Sequence, residues 1–398
     1  MWWYSIVIAF LFAITLLVYF KRNRRLDVYS LILGVYTTVA VCCVLFAFSD
    51  PHHYDNLHIF NFVYLYVAVM IFIRPFKNKD FHCDNIYIEN TLFIKLLILI
   101  YFTSGVVSVI YTLPRAMSLA AMGDWSAVRA DVYNDMSGIE LYTNQFERLC
   151  KNLYTYLAPF GVVWVFYQFT KPKFNAILTF SMLTVWAISE YCSATLIASR
   201  GMILTFGIKL LTLYMFFRNG IPSSRKKYIY IGAGIAAVFF LSYTLSVTDS
   251  RFGDDANDSL FMYFGHSMLA FNDGIMGSMH DFAWGRYFFK WLYDLCGIDS
   301  TINFMQLGST HGSAFMTFVG CFYIDFGPIG TLLLAIMFSR WLSIYTNRDT
   351  YTLSTFIVIV YFATWFIDGV FVFGRSQSLT WLMLLVLSHI LKRTERVQ

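Results

Sequence analysis

Apolar runs long enough to cross a lipid bilayer recur from one end of this chain to the other, and that recurrence constrains the fold more than any single motif. A helix needs about 20 mostly apolar residues to span the hydrocarbon layer. Stretches of this kind lie near residues 2–20, 28–47, 58–73, 91–111, 151–169, 176–198, 202–217, 228–247, 325–345, 351–371 and 377–391. The residues are 58% hydrophobic and only 13% charged, far from the usage of soluble domains, which excludes a soluble globular fold. The expected fold class is therefore an all-α polytopic membrane protein of about eleven transmembrane helices. Residues 1–398 are read as a single transmembrane domain, because the spans leave no room for a soluble one.

Charge orients these spans. No basic residue precedes the run from Trp2 to Phe20, and Lys21, Arg22, Arg24 and Arg25 follow it. This is the reverse of a cleavable signal peptide and predicts a first helix with its N-terminus outside. Threading the chain from there places 18 of the 29 lysines and arginines in inside loops, in keeping with the positive-inside rule, and puts the C-terminus inside. The net charge of +5 is dispersed in small clusters between the spans, a pattern of topology signals that makes nucleic acid an unsuitable partner. Seven cysteines show no CxxC or Cys/His metal spacing, so no metal site or cofactor is expected. Cys150 and Cys296 alone fall on outside segments, and nothing further favours a disulfide between them.

Two outside segments, residues 112–150 and 248–312, are too long for simple turns and are expected to be partly helical and functional. The second is rich in aromatic residues, including Tyr263 and Trp284, which suits short amphipathic helices at the membrane surface. The apolar run from Ser313 to Tyr323 is too short to span. Asp325, Gly327, Pro328 and Gly330 follow it, pointing to a broken or re-entrant entry into the ninth span.

The chemistry-bearing residues gather at the outer level. Arg200 lies in the turn between the sixth and seventh spans, Arg251 follows the eighth, Arg286 sits in the long loop, and Arg375 separates the last two spans. A guanidinium keeps its charge and offers a planar fork to phosphate oxygens, so such a set could clamp a diphosphate. The plainer reading of each alone is a snorkelling headgroup contact or an ion pair with an acid such as Asp249 or Asp325. His311, where the long loop re-enters the membrane, could take a proton from a sugar hydroxyl or donate to phosphate, and a structural role is as good an account. Asp325, Asp368 and Glu190 could act as bases or orient arginines, with orientation the stronger reading. Tyr263 and Trp284 could stack on sugar faces, although interfacial belts use the same residues.

Several segments resemble the Wzy-type O-antigen and capsular repeat-unit polymerases. They are Ala198-Ser199-Arg200-Gly201, Phe261-Met262-Tyr263-Phe264-Gly265, Thr310-His311-Gly312-Ser313-Ala314-Phe315, and Phe322-Tyr323-Ile324-Asp325-Phe326-Gly327-Pro328-Ile329-Gly330. The resemblance implies a C-type membrane-embedded glycosyltransferase (GT-C) architecture in the bacterial inner membrane, with 112–150 and 248–312 as periplasmic loops. It implies an inverting, metal-independent polymerase that joins oligosaccharide repeat units carried on undecaprenyl diphosphate, with a chain-length regulator and a flippase as candidate partners. Arg200, Arg251 and His311 would then be catalytic, and Arg286, Arg375, Asp325, Tyr263 and Trp284 would bind substrate.

An O-antigen ligase shares this layout and chemistry; the Tyr323-Ile324-Asp325-Phe326-Gly327 segment and the short cytoplasmic loops favour a polymerase. A flippase or transporter of the same lipid-linked sugars would instead place charge at mid-membrane depth within repeated halves. No repeat is visible, and Lys209 is the one exception to the outer placement of charge that this reading leaves unexplained.

Overall fold

In the computed structural model the chain is described over residues 2–54, 56–79, 81, 86–87, 91–128, 142–252, 256–309, 316–370 and 377–396. The helices are α1 (Ser5–Asn23), α2 (Val28–Ser49), α3 (Ile59–Ile73), α4 (Leu92–Met122), α5 (Gln145–Thr170), α6 (Ala176–Leu196), α7 (Arg200–Phe217), α8 (Ser223–Phe252), α9 (Ala256–Ala270), the short α10 (Lys290–Leu295), α11 (Phe318–Thr346), α12 (Leu353–Asp368) and α13 (Gln377–Arg396). Eight helical stretches among the described residues are long and apolar enough to cross a membrane: Trp2–Asn23, Val28–Ser49, Ile59–Phe76, Leu92–Met122, Ala176–Leu196, Arg200–Phe217, Ser223–Ser250 and Phe318–Thr346. The protein is thus a helical, membrane-embedded, polytopic chain. The other three expected spans fall on α5, α12 and α13. These are helices too, but α12 is only 16 residues long, and α13 closes on the charged run Lys392–Arg396.

Polar residues start these helices where apolar sequence cannot. Asp27 accepts the Ser30 amide at 2.8 Å while the Ser30 hydroxyl accepts the Asp27 amide at 2.8 Å, a reciprocal cap on α2. Asn144 caps α5 and Asn175 caps α6 in the same role, each accepting an amide three residues on. Helices α4 and α8 overrun their apolar windows, to Met122 and Phe252. Cys150 and Cys296 are free thiols, the first buried and the second exposed.

The chain divides into two compact units, each assembled from distant parts of the sequence. The first comprises Met1–Asp80, Asn257–Asp349 and Tyr361–Leu385. Its centre is an aromatic cluster in which Phe338 packs on Phe362 with ring centroids 4.9 Å apart and on Trp381 at 5.3 Å. The second comprises Phe81–Ala256, Thr350–Val360 and Val386–Gln398. There α4 and α5 pack so closely that a Cβ on Gly161 would enter the Tyr101 ring, which itself stacks on Tyr154 with centroids 4.7 Å apart. A short parallel pairing of Ile86–Tyr87 with Tyr351–Thr352 also belongs to this unit.

Candidate functional site

In the second unit, α6 ends in a left-handed turn at Ala198 (φ 46°). The Ser199 amide donates to the Ala194 carbonyl at 2.8 Å and the Ala198 amide to Thr195 at 3.1 Å, the paired closing bonds of a helix C-terminus. Arg200 then begins α7 directly. Its side chain is buried, at 6% exposure, and Nη1 donates to the Thr248 hydroxyl on α8 at 2.9 Å. A cation at a helix N-terminus opposes the helix dipole, and burying it costs desolvation as well. A buried arginine held by Thr248 differs from an exposed, snorkelling headgroup contact.

A second set of charges in this unit lies on α4, α5 and α6. Arg115 pairs with the fully buried Glu147, whose other oxygen accepts the Thr143 amide at 2.6 Å and hydroxyl at 2.7 Å. One turn along α5, Lys151 donates to the Ser189 and Ser193 hydroxyls at 3.0 and 2.8 Å. Glu190 accepts from the Trp186 indole at 3.1 Å. The sequence reading singled out Glu190 but not Arg115, Glu147 or Lys151, because all three fall in or at the edge of a stretch read as an outer loop. The detectable signal was spacing: Glu147 and Lys151, like Ser189 and Ser193, are four residues apart and share a helix face.

In the first unit, Asp325 is completely buried, and its two oxygens accept the main-chain amides of Tyr287 at 2.9 Å and Phe288 at 2.7 Å. The Ile324 and Asp325 carbonyls accept the amides of Ala283 at 2.7 Å and Trp284 at 3.1 Å. These four bonds clamp a turn in which Trp284 has φ 55° and Gly285 φ 91°, a conformation that costs a non-glycine residue of order 1 kcal/mol or more. The clamp displays Trp284 at 69% exposure, with Arg286 exposed beside it. Thr301 and, more weakly, Arg286 hold the Asp299 carboxyl below the usual carboxylate range. Tyr263 is half-buried on α9, edge-on to Phe264.

Further polar contacts of this unit were not anticipated. Tyr54 and the Nδ1 of His266 share a hydrogen bond, and burial pushes the Tyr54 phenol well above its ordinary range. Past α9, the π-turn Phe271–Met276 presents Asn272 and Asp273, whose side chains accept the His58 and Asn56 amides at 2.8 and 2.7 Å. Single π-turns concentrate at functional sites.

Arg200 with Thr248 thus forms one arrangement, and Asp325 with the turn bearing Trp284 and Arg286 forms another. His311, Arg375 and the side chain of Arg251 lie outside the described residues; the Arg251 backbone belongs to the last turn of α8. No family model, curated protein or solved structure matches this chain.

Proposed function

We propose that the chain is an inverting, metal-independent glycosyltransferase that polymerises oligosaccharide repeat units carried on undecaprenyl diphosphate, building O-antigen or capsular polysaccharide. In this reading it has eleven spans in the bacterial inner membrane, a periplasmic N-terminus, a cytoplasmic C-terminus and a GT-C architecture. A hydroxyl of one repeat unit attacks the anomeric carbon of the growing glycan. The new C–O bond forms as the bond to the lipid diphosphate breaks, and the hydroxyl proton passes to a base, for which His311 is the candidate.

The obstacle is the charge that develops on the leaving diphosphate, and fixed positive groups aimed at it supply the largest share of such catalysis. The observation that carries the reading is Arg200: buried, at a helix start that disfavours it, and steadied by Thr248. Arg251 and Arg375 would add further positive charge. Arg286 and Trp284, on the turn clamped by Asp325, would hold phosphate and stack on a sugar, with Tyr263 contributing a second ring. A chain-length regulator and a flippase would be its working partners.

Arg200→Ala in a host deleted for the native gene should leave the protein in the membrane yet shorten the surface glycan to single repeats. Long chains persisting in that strain would remove Arg200 from the chemistry. Lipid-linked glycans extracted from the deletion strain separate the related activities. Single repeats on undecaprenyl diphosphate indicate a polymerase, whereas accumulated polymer indicates a ligase.

A further inference from the structure

The second unit contains a groove of about 560 Å³ at the end of α4, α5 and α6 remote from Lys151. This volume suits a bound organic molecule. Its walls are apolar, with Ile98, Leu99, Phe102 and Trp164 among them, and Lys95 and Lys171 line it as well. Among the described residues no carboxylate lines the groove, and neither lysine has an acidic partner within ion-pair distance.

The position of Lys171 is built. Its ammonium lies over the Tyr167 ring, 4.2 Å from the centroid. Arg225 holds the chain around it by donating to the carbonyls of Phe169 at 2.8 Å, Lys171, and Pro172 at 2.8 Å. That guanidinium also stacks on Phe174 at 4.4 Å. A loop lysine serving only as a topology signal requires neither a fixed ammonium nor an apolar trough beside it. Lys95, moreover, stands within the first turn of the membrane-length helix α4 rather than in a loop.

The geometry points to a binding site for an anionic phospholipid, with one acyl chain in the trough and the phosphate held by Lys95 and Lys171. The inference does not depend on the glycosyltransferase reading. Charge complementarity selects the occupant: basic pockets between transmembrane helices bind anionic headgroups, each lysine contributing about 1 kcal/mol, whereas a zwitterionic headgroup gains little from two cations.

The test is native mass spectrometry of the full chain in detergent, titrated with phosphatidylglycerol or phosphatidylethanolamine. Wild type should bind phosphatidylglycerol about thirtyfold more tightly, and the Lys95→Gln/Lys171→Gln double variant should lose about that thirtyfold preference. A Lys77→Gln/Lys79→Gln variant, which removes the same charge from residues that do not line the groove, should keep it. Leu99→Trp, which fills the trough, should weaken both lipids and guards against a folding defect in the lysine variants. Equal affinity for the two lipids, an equal loss in the Lys77/Lys79 control, or a preference for undecaprenyl phosphate over phosphatidylglycerol would each overturn the assignment.

Discussion

Asp325 is an acidic residue at zero exposure with both oxygens committed to main-chain amides. Its carboxylate is therefore the part of the turn 283–288 that cannot be replaced by a neutral isostere without loss. In Asp325→Asn the side-chain amide would face one backbone N–H, leaving a buried donor unsatisfied at about 1–3 kcal/mol. The expected outcome is a lower melting temperature in detergent and faster proteolysis between residues 277 and 309. An Asn variant with wild-type melting and digestion would show that the clamp is dispensable. The sequence marked Asp325 as a residue that orients others or meets substrate. That its hydrogen bonds run to Tyr287 and Phe288, nearly forty positions away, could not be read, because nothing local to Asp325 specifies that pairing. Arg200 was more legible: a charge in a four-residue turn between two apolar runs stands out by itself. Its hydroxyl partner Thr248 did not, since a threonine inside an apolar helix carries no signal of its neighbour.

At the scale of elements, the best-read feature is the break in α11. Asp325, Gly327 and Pro328 pointed to an interrupted helix, and the backbone departs from helical geometry at Gly327, with φ 64° and ψ −172°. A side chain there would also meet the Phe282 ring. Gly327→Ala should cost about 1–3 kcal/mol from backbone strain alone, read as a fall in the thermal midpoint in detergent; an unchanged midpoint would mean that the helix straightens without penalty. Helix ends were the least legible feature. Apolar windows stopped at 111 and 247, yet α4 continues to Met122 and α8 to Phe252. Hydropathy reports how much of a segment suits hydrocarbon, whereas a helix propagates on backbone hydrogen bonds until a cap or glycine ends it. Gly123, in the left-handed region at φ 69°, performs that task for α4.

For the whole molecule, the distribution of basic residues makes a claim that can be checked directly. Reporter fusions should be active in the cytoplasm when joined within residues 218–227 and active outside when joined within 277–309. Both reporting from one side would refute an eleven-span thread between them. Membrane residence and helical class were determined by the sequence alone, because each depends on the free energy of placing one contiguous segment in lipid or water. The division into two units, drawn from Met1–Asp80 with Asn257–Asp349 and from Phe81–Ala256 with Thr350–Val360, was decided only in three dimensions. So were the burial of Glu147 against Arg115 and the clamp on Trp284. Between helices already in lipid the hydrophobic effect makes no distinction, so neighbours are chosen by close packing and by pairing of polar groups. Those are properties of two surfaces together, and a linear pattern records only one surface at a time.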